Sequence, residues 1–271
     1  MQQKRRLLKK APFLFLLILF GSAQAKCLAP EGGEPVQVKR VIDGDTLVLQ
    51  DGRRVRLIGV NAPERARDRQ PGEPLAERAR DVVEMFVRQT DRLMLYPGAD
   101  TQDRFGRTLA HLFNSAGESL EEKMLVQGVA RHLVIGRNDR FQKCLEQAEM
   151  SARQKREGLW ALSFYEVREF DQGDRNLTPG FHVLQGKVAS VSLLAGKNWW
   201  LDLEGGVSVQ IRVADQSRFD RDLLLSLRGR RIEARGWLID RGRGDSAKSR
   251  WLLPVSHPAA VRELPKKCTG C

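Results

Sequence analysis

The sequence has no apolar run long enough to cross a membrane as a helix. Its candidate, residues 12–20, falls well short of the ~20 residues that a spanning helix needs. A basic segment precedes this run, and the small-residue sequence Ala-Gln-Ala, residues 23–25, follows it. This order is typical of a secretory signal peptide and disfavours the alternative, an uncleaved anchor. We therefore predict that residues 1–25 are removed and that the protein is exported, periplasmic or secreted, without stable membrane insertion.

Histidine and cysteine are also scarce. The four histidines show no ligand spacing, so we expect no histidine metal site. The cysteines are also four: Cys27, Cys144, Cys268 and Cys271. An even number in an exported chain predicts two disulfides, and the sequence leaves all three pairings open. The Cys-Thr-Gly-Cys spacing at residues 268–271 occurs in redox and zinc sites too, but a single pair at the end of a chain favours a structural role.

Acidic residues are outnumbered by basic ones. The chain has 46 Lys and Arg against 34 Asp and Glu, a formal net charge of +12. Removing the leader takes the basic residues from 46 to 41 and leaves a net charge of about +7. A positive surface favours polyanionic partners such as nucleic acids, but charge alone does not identify one.

Residues 35–162 are predicted to form a domain of five strands and three helices. Strand patterns cover residues 36–41, 46–50, 53–60, 93–96 and 108–113, and helical patterns cover residues 74–90, 119–128 and 139–158. Asp51-Gly52 is a hairpin signal, because both residues tolerate positive φ. Residues 97–107 are expected to be a polar loop. The fold class is therefore mainly β with helices, and the order of elements predicts an OB-fold barrel.

The rest of the chain predicts a second, smaller OB-like β-barrel. Residues 163–179 lack a sustained period and are interpreted as a linker, and residues 263–271 as a cysteine-containing tail. Between them, in residues 180–262, strand patterns cover residues 186–193, 199–203, 207–213, 231–239 and 251–254. The tryptophans and arginines of this region suit a single-strand-binding face or a barrel core with solvated loops, and the second is favoured.

The stretch from residue 41 to residue 64, VIDGDTLVLQDGRRVRLIGVNAPE, contains the parts of a metal-assisted phosphodiesterase. Asp43 and Asp45 lie near its start, Arg56 lies in a predicted strand, and Glu64 ends it. Carboxylate oxygens bind hard cations, a carboxylate can act as a general base, and a guanidinium group matches two phosphate oxygens. Taken alone, Asp43-Gly44-Asp45 is more typical of an ordinary turn, so the hypothesis depends on the whole set.

Four segments, taken in order, resemble one known family. They are residues 42–46 (IDGDT), 56–64 (RLIGVNAPE), 103–107 (DRFGR) and 158–160 (GLW). Together they resemble the thermonucleases, the staphylococcal nuclease-like proteins, over about residues 38–160. This resemblance implies an OB-fold with three helices and calcium-dependent hydrolysis of DNA or RNA with little sequence preference.

The resemblance also implies a metal site. By similarity, Asp45, Asn61 and the backbone carbonyl of Ala62 would bind Ca2+, with Asp43 near the metal. The family has an aspartate where this chain has Asn61. An amide oxygen can still coordinate, but the site loses one negative charge, so we expect it to bind calcium less tightly.

The catalytic and substrate-binding roles follow in the same way. By similarity, Glu64 would activate the attacking water, and Arg56 and Arg107 would hold the phosphate. Arg104 and Phe105, in the loop before Arg107, would contact the substrate.

The tyrosines that stack beside the nucleotide in the family correspond here to Val134 and Gly136. Weaker base stacking is expected as a result. These departures leave an alternative open, a nuclease fold without turnover that serves as a nucleic-acid or envelope binding module. Retention of Glu64, which a binding module does not need, favours the enzyme.

Overall fold

The computed structural model describes residues 26–67, 70–90, 92–170, 177–242 and 249–265. The predicted signal peptide, Cys268 and Cys271 lie outside these residues. Within the described part of the chain, no helix combines the length and the apolar character needed to cross a bilayer.

The first part of the chain has the predicted order of strands and helices. Its elements are β1 (Glu34–Val36), β2 (Val38–Val41), β3 (Thr46–Leu49), β4 (Arg54–Leu57), β5 (Val60–Asn61), α1 (Ala76–Arg88), β6 (Leu93–Gln102), β7 (Thr108–Asn114), α2 (Leu120–Val126), β8 (Arg131–His132) and α3 (Gln142–Lys155). In β4, Val55 and Leu57 are buried while Arg54 and Arg56 are not, as the two-residue period of a strand requires. The Ser119 hydroxyl accepts a hydrogen bond from the Glu122 N–H at 3.1 Å and caps α2, as its capping-box spacing predicts.

The strands of this first part form a curled sheet in the order β1-β6-β7-β4-β3-β2. Only Gln37 separates β1 from β2, so they act as one interrupted strand. This strand pairs with β6 through β1 and with β3 through β2, which brings the two edges of the sheet together. With α1 inserted between β4 and β6, the arrangement confirms the predicted OB-like barrel.

One boundary in this barrel was predicted wrongly. Residues 97–107 were expected to be a loop, but β6 continues to Gln102, with an irregular register between Pro97 and Gln102. Proline in a strand is tolerated at such bulges. The strand is also held by a distant residue, because the Asn138 side chain accepts the Asp100 N–H at 2.9 Å. No local pattern reveals that contact.

The second part of the chain forms a closed barrel. Its elements are β9 (Arg168–Glu169), β10 (Gly180–Ser192), β11 (Trp199–Leu203), β12 (Val207–Ile211), α4 (Arg221–Ser226), β13 (Arg231–Asp240), β14 (Trp251–Val255) and β15 (Val261–Glu263). The strands β10, β11, β12, β14 and β13 pair in that order, and β13 pairs back to β10. Because β12 and β14 are parallel and α4 precedes β13, the connectivity is that of the first barrel. The second OB-like barrel is confirmed.

The segment interpreted as a linker contains ordered elements. Residues 163–165 form a short 3-10 helix, and β9 pairs in parallel with β10. Phe170, next to β9, is fully buried in the core of the second barrel. Part of the expected linker therefore packs as barrel structure, and residues 171–176 lie outside the described residues.

The two barrels contact each other through a small apolar cluster, through hydrogen bonds and through the buried ion pair of Glu149 with Arg235. Leu133 of the first barrel packs with Phe181 and Val183 of the second. The Arg131 guanidinium donates to the Phe181 carbonyl at 3.0 Å, and the Gly136 N–H donates to the Ser256 hydroxyl at 3.1 Å. These contacts place the loop after β8 directly against the second barrel.

A disulfide joins Cys27 to Cys144 in α3, across a sequence separation of 117 residues. Cys27 is buried, and its N–H donates to the Glu122 carboxylate at 3.0 Å. The disulfide therefore ties the beginning of the described chain to the third helix. It is one of the pairings that the sequence left open.

Removal of this disulfide is expected to lower the free energy of unfolding by about 2–4 kcal/mol, because it closes a long loop in the unfolded chain. The measurement is urea unfolding of the unchanged protein beside Cys27→Ala/Cys144→Ala, both followed by tryptophan fluorescence. Equal unfolding midpoints for the two proteins would contradict the expectation.

Candidate active site

Asp43 and Asp45 lie in the tight turn that leads into β3, and both are buried. The turn requires glycine between them, since a Cβ on Gly44 would lie 2.6 Å from the Ala62 Cβ and 2.7 Å from the Ala79 Cβ. The Asp45 N–H donates to the Asp43 carboxylate at 3.2 Å. Close packing against α1 and the chain after β5 thus fixes two carboxylates side by side.

The backbone of Ala62, a residue of the predicted metal site, contacts Asp45. The Asp45 carboxylate accepts the Ala62 N–H at 3.0 Å, and Asn61, next to Ala62, is buried at the end of β5. No group of three His, Cys, Asp or Glu side chains with metal-binding geometry occurs among the described residues. The candidate donors from the sequence prediction are instead two carboxylates, an amide oxygen and a backbone carbonyl. This all-oxygen set suits a hard cation such as Ca2+ and does not suit zinc.

The electrostatics of Asp45 are consistent with a cation partner. Burial raises the pKa of Asp45, Arg56 opposes this rise, and the neighbouring charge of Asp43 adds to it. A bound cation would therefore stabilise the ionised form of Asp45.

Arg56 is held rigidly beside these carboxylates. One guanidinium nitrogen lies 3.1 Å from the Asp45 carboxylate, and another donates to the carbonyls of Leu57 and Val60, at 2.5 and 2.9 Å. Its side chain is only 12% exposed. The strand β4 therefore presents a positively charged group whose orientation the backbone fixes.

Arg107 is oriented by a residue that sequence reasoning did not assign to the site, Asp103. One Asp103 oxygen accepts the N–H groups of Phe105 and Arg107, and the other accepts Arg107 Nε at 2.7 Å. Burial opposes ionisation of Asp103, but these hydrogen bonds outweigh it and lower its pKa. A second nitrogen of Arg107 lies 3.5 Å from the Thr46 hydroxyl, next to Asp45. The i, i+4 spacing of Asp103 and Arg107 is the sequence signal that could have revealed this pair.

Asp103→Asn is expected to lower the cleavage rate by about 10- to 100-fold, because Arg107 loses its acceptor while the turn is kept. Asparagine retains the oxygen that accepts the two backbone N–H groups. The measurement is single-turnover cleavage of a labelled oligonucleotide, with circular dichroism as the control for folding. An unchanged rate would show that Asp103 does not position Arg107.

Glu64 lies at the rim of the site. Its side chain is 67% exposed, and Arg67 lies 3.5 Å from it and 2.9 Å from the Asp43 carboxylate. Partial desolvation, together with the charge of Asp45, raises the pKa of Glu64. A carboxylate with a raised pKa, open to solvent beside a cation site, is suited to accept a proton from water. Arg67, which the sequence did not single out, bridges the two acids.

The predicted substrate-contact residues lie at the surface. Phe105 is 67% exposed, and the guanidinium carbons of Arg104 and Arg107 lie 4.8 and 5.6 Å from the centre of its ring. Val134, by contrast, is buried, and Gly136 contacts the second barrel. These two positions therefore present no aromatic side chain to a nucleotide.

The structure brings most of the predicted site residues together on one side of the first barrel. Asp43, Asp45, Ala62 and Arg56 are linked by direct contacts, and Asn61 adjoins Ala62. Glu64 joins the set through Arg67 and Arg107 joins it through Thr46. A site with candidate ligands for a hard cation, a candidate carboxylate base and two arginines that could bind phosphate suits phosphodiester hydrolysis, so the class of protein that this fold and site indicate is a nuclease.

Comparisons with known proteins agree with this class. Residues 54–162 match the family model described as Staphylococcal nuclease homologue. The thermonuclease of Staphylococcus intermedius is 35% identical over 131 residues, which are 47% of this chain and 77% of that protein. The thermonuclease of Staphylococcus hyicus is 30% identical over 144 residues, 52% of this chain and 84% of that protein. Endonuclease YncB of Bacillus subtilis (strain 168) is 28% identical over 134 residues, 48% of this chain and 63% of that protein.

The chain belongs to the staphylococcal nuclease homologue family and is a nuclease that hydrolyses phosphodiester bonds. These three alignments each cover about half of its length.

Proposed function

We propose that this nuclease is a Ca2+-dependent endonuclease that cleaves DNA, RNA or both with little sequence preference. The observation that carries the proposal is the direct contact of Arg56 with Asp45, in the same turn as Asp43 and beside Ala62. This contact supports the proposal, because it joins a candidate phosphate-binding group to a candidate cation ligand. Low sequence preference follows because charged contacts to phosphate carry no base information.

Asp45, Asn61 and the carbonyl of Ala62 are the proposed calcium ligands, with Asp43 close to the metal. When bound, calcium would supply positive charge that offsets the negative charge developing on the phosphate. The ligands of this chain keep their oxygens in place through the Ala62 N–H and the close packing at Gly44.

Glu64 is the proposed general base, and Arg56 and Arg107 the groups that hold the phosphate. Glu64 would accept a proton from the attacking water. Water attack on phosphorus and departure of the 5′-oxygen would leave a 3′-phosphate end. Arg104 and Phe105 would contact the substrate at the rim of the same loop.

Export is proposed from two observations. Residues 1–25 have the sequence pattern of a cleaved signal peptide, and a disulfide joins Cys27 to Cys144. Disulfides persist in oxidising compartments such as the periplasm or the extracellular medium. We also propose residues 35–162 and 180–262 as the two domains, with residues 263–271 as a tail; residues 163–179 lie between the domains, and their β9 and Phe170 pack with the second barrel.

The test is cleavage of single-stranded DNA and of RNA by the purified mature chain, with millimolar calcium and with chelator. We expect cleavage in calcium and none in chelator. Cleavage that is unaffected by chelator would reject calcium dependence. Binding of either nucleic acid without cleavage would instead support a binding module.

Asn61→Asp is expected to lower the calcium concentration for half-maximal activity by about tenfold, because it restores a negative ligand. The same change adds a third buried carboxylate, so the calcium-free variant should unfold at a lower temperature than the unchanged protein. Thermal unfolding with and without calcium provides a readout that is independent of activity. A variant with unchanged calcium dependence in both assays would argue against Asn61 as a ligand.

A further inference from the structure

The outer surface of the second barrel carries a row of side chains that barrel packing does not require. Along β11, Leu201 and Leu203 are fully or nearly fully buried, whereas Trp200 alternates with Leu201 and is partly exposed. In the paired strands, Trp200 lies opposite Gln210 of β12, and Gln210 lies opposite Pro254 of β14. We call this row, Trp200, Gln210 and Pro254, the Trp200 face.

The tryptophans of the second barrel thus divide between two roles. The sequence favoured a core role for all of them, and Trp251 is indeed buried in the core. Trp200 instead lies beneath a cation, since the guanidinium carbon of Arg241 is 5.9 Å from its ring. A partly exposed indole with an arginine over it resembles the aromatic platforms on which bases stack.

Positive charges border the Trp200 face at one end of the barrel. Lys197, in the loop before β11, and Arg212, directly after β12, are both exposed. Further along β11 the same side carries an acidic residue, Asp202, which accepts hydrogen bonds from the hydroxyls of Ser190 and Ser208. Lys197 and Arg212 therefore lie at the end where β11 begins and β12 ends, whereas Arg241 reaches the Trp200 ring from the opposite end, where Asp240 pairs with Trp251.

The end with Lys197 and Arg212 contacts the first barrel. Ser256 follows β14 directly, two residues after Pro254, and accepts the N–H of Gly136. The next residue of that loop, Arg137, lies 2.7 Å from Asp100 of β6, and β6 runs on to Gln102. The turn that orients Arg107 begins at the following residue. One hydrogen bond, one ion pair and short chain segments therefore connect the Trp200 face to the turn that orients Arg107.

We propose that the Trp200 face binds single-stranded nucleic acid and extends the substrate site of the nuclease onto the second barrel. Trp200 would stack on a base, while Lys197, Arg212 and Arg241 would neutralise phosphates. The inference rests on the proposed function for the identity of the ligand. It also offers a reason why stacking residues are absent at Val134 and Gly136, since the neighbouring barrel supplies an aromatic platform.

The test uses the full mature chain carrying Glu64→Gln, which is expected to bind without cutting. Fluorescence anisotropy measures its affinity for oligothymidylates of 4 and 25 nucleotides. The short probe fills the nuclease site alone, whereas the long probe can also reach the Trp200 face. We expect the long probe to bind at least about tenfold more tightly, and Trp200→Ala to remove most of that advantage. Lys197→Ala and Arg212→Ala should each lower the salt dependence, the slope of log K against log salt, by about 0.7.

Two further variants keep the test decisive. Gln210→Glu places a negative charge on the face with little change of shape, so it should reproduce the effect of Trp200→Ala even if the latter unfolds. Trp237→Ala is the matched control, because Trp237 is 43% exposed on the same barrel but packs against Phe181 on the β10 side. It should leave the advantage of the long probe intact.

Equal affinity for the two probes in the parent chain would overturn the inference, and so would an advantage that survives both Trp200→Ala and Gln210→Glu. An equal loss of the long-probe advantage in Trp237→Ala would also overturn the inference. Failure of the proposed function is separable, because it would appear as absent cleavage by the chain with Glu64 restored. A length advantage that depends on Trp200 would still support the face in that case.

Discussion

Glu64→Gln is expected to lower the rate of nucleic-acid cleavage by about 10²–10⁴-fold, the range typical of losing a general base. Glutamine keeps the shape of the side chain but does not accept a proton at neutral pH. Because Glu64 is 67% exposed and lies at the rim of the site, the free energy of unfolding should change little. The measurement is single-turnover cleavage of a labelled oligonucleotide in saturating calcium, beside urea unfolding of both proteins.

The control for this result is Glu77→Gln. Glu77 is also exposed, at 61%, and its carboxylate accepts a hydrogen bond from Arg65 at 2.8 Å outside the proposed set of catalytic groups. Glu77→Gln should leave the rate of cleavage almost unchanged. If Glu64→Gln retains the parental rate, or if both variants lose the same activity, Glu64 is not the base.

The pH dependence of cleavage provides a second check on Glu64. The base must be ionised, and desolvation together with Asp45 raises the pKa of Glu64. In the calcium-free protein, the pKa of Glu64 measured by NMR titration should therefore lie above that of an ordinary glutamate, about 4.3. Cleavage in calcium should rise as the pH rises through the pKa of Glu64 in the calcium-bound protein, because only the ionised carboxylate accepts a proton. A Glu64 pKa at or below the ordinary value in the calcium-free protein, or cleavage that does not fall at acidic pH, would contradict the assignment.

Arg235→Leu is expected to lower the free energy of unfolding by about 3–5 kcal/mol, because it leaves the buried Glu149 carboxylate without its arginine partner, whereas Glu233 keeps Arg153. Arg235 lies at the junction of the barrels, 2.7 Å from Glu149 and 2.8 Å from Glu233, and donates to the His132 carbonyl at 3.0 Å. Burial disfavours the charged guanidinium of Arg235, but the two glutamates outweigh the effect of burial and raise the pKa of Arg235 above the ordinary arginine value. Urea unfolding followed by tryptophan fluorescence measures the change.

Two further variants test whether the loss of stability comes from the buried ion pair. Arg250→Leu removes an exposed arginine of the second barrel that pairs with Asp240, and should change the free energy of unfolding little. Arg235→Leu/Glu149→Leu removes both partners of the buried pair and should recover part of the lost stability. No recovery in the double variant, or equal losses in Arg235→Leu and Arg250→Leu, would show that the buried pair does not hold the junction.

Local patterns predicted most of the secondary structure. The alternation of Arg54, Val55, Arg56 and Leu57 correctly assigned β4 and its buried face, because a strand has a period of two wherever one side is buried. The extension of β6 to Gln102 was missed, because its support comes from Asn138, far away in the sequence.

The sequence by itself determined the nuclease family, the two OB-like barrels and the candidate residues from Asp43 to Arg107, because short motifs and periodic burial are properties of neighbouring residues. The tertiary structure decided which disulfide forms and how Asp103 holds Arg107. It also decided that Arg235 joins the barrels and that Trp200 faces outward at the end nearest the nuclease domain. These features depend on contacts between residues distant in sequence or on the direction of single side chains, and only the packed chain specifies them.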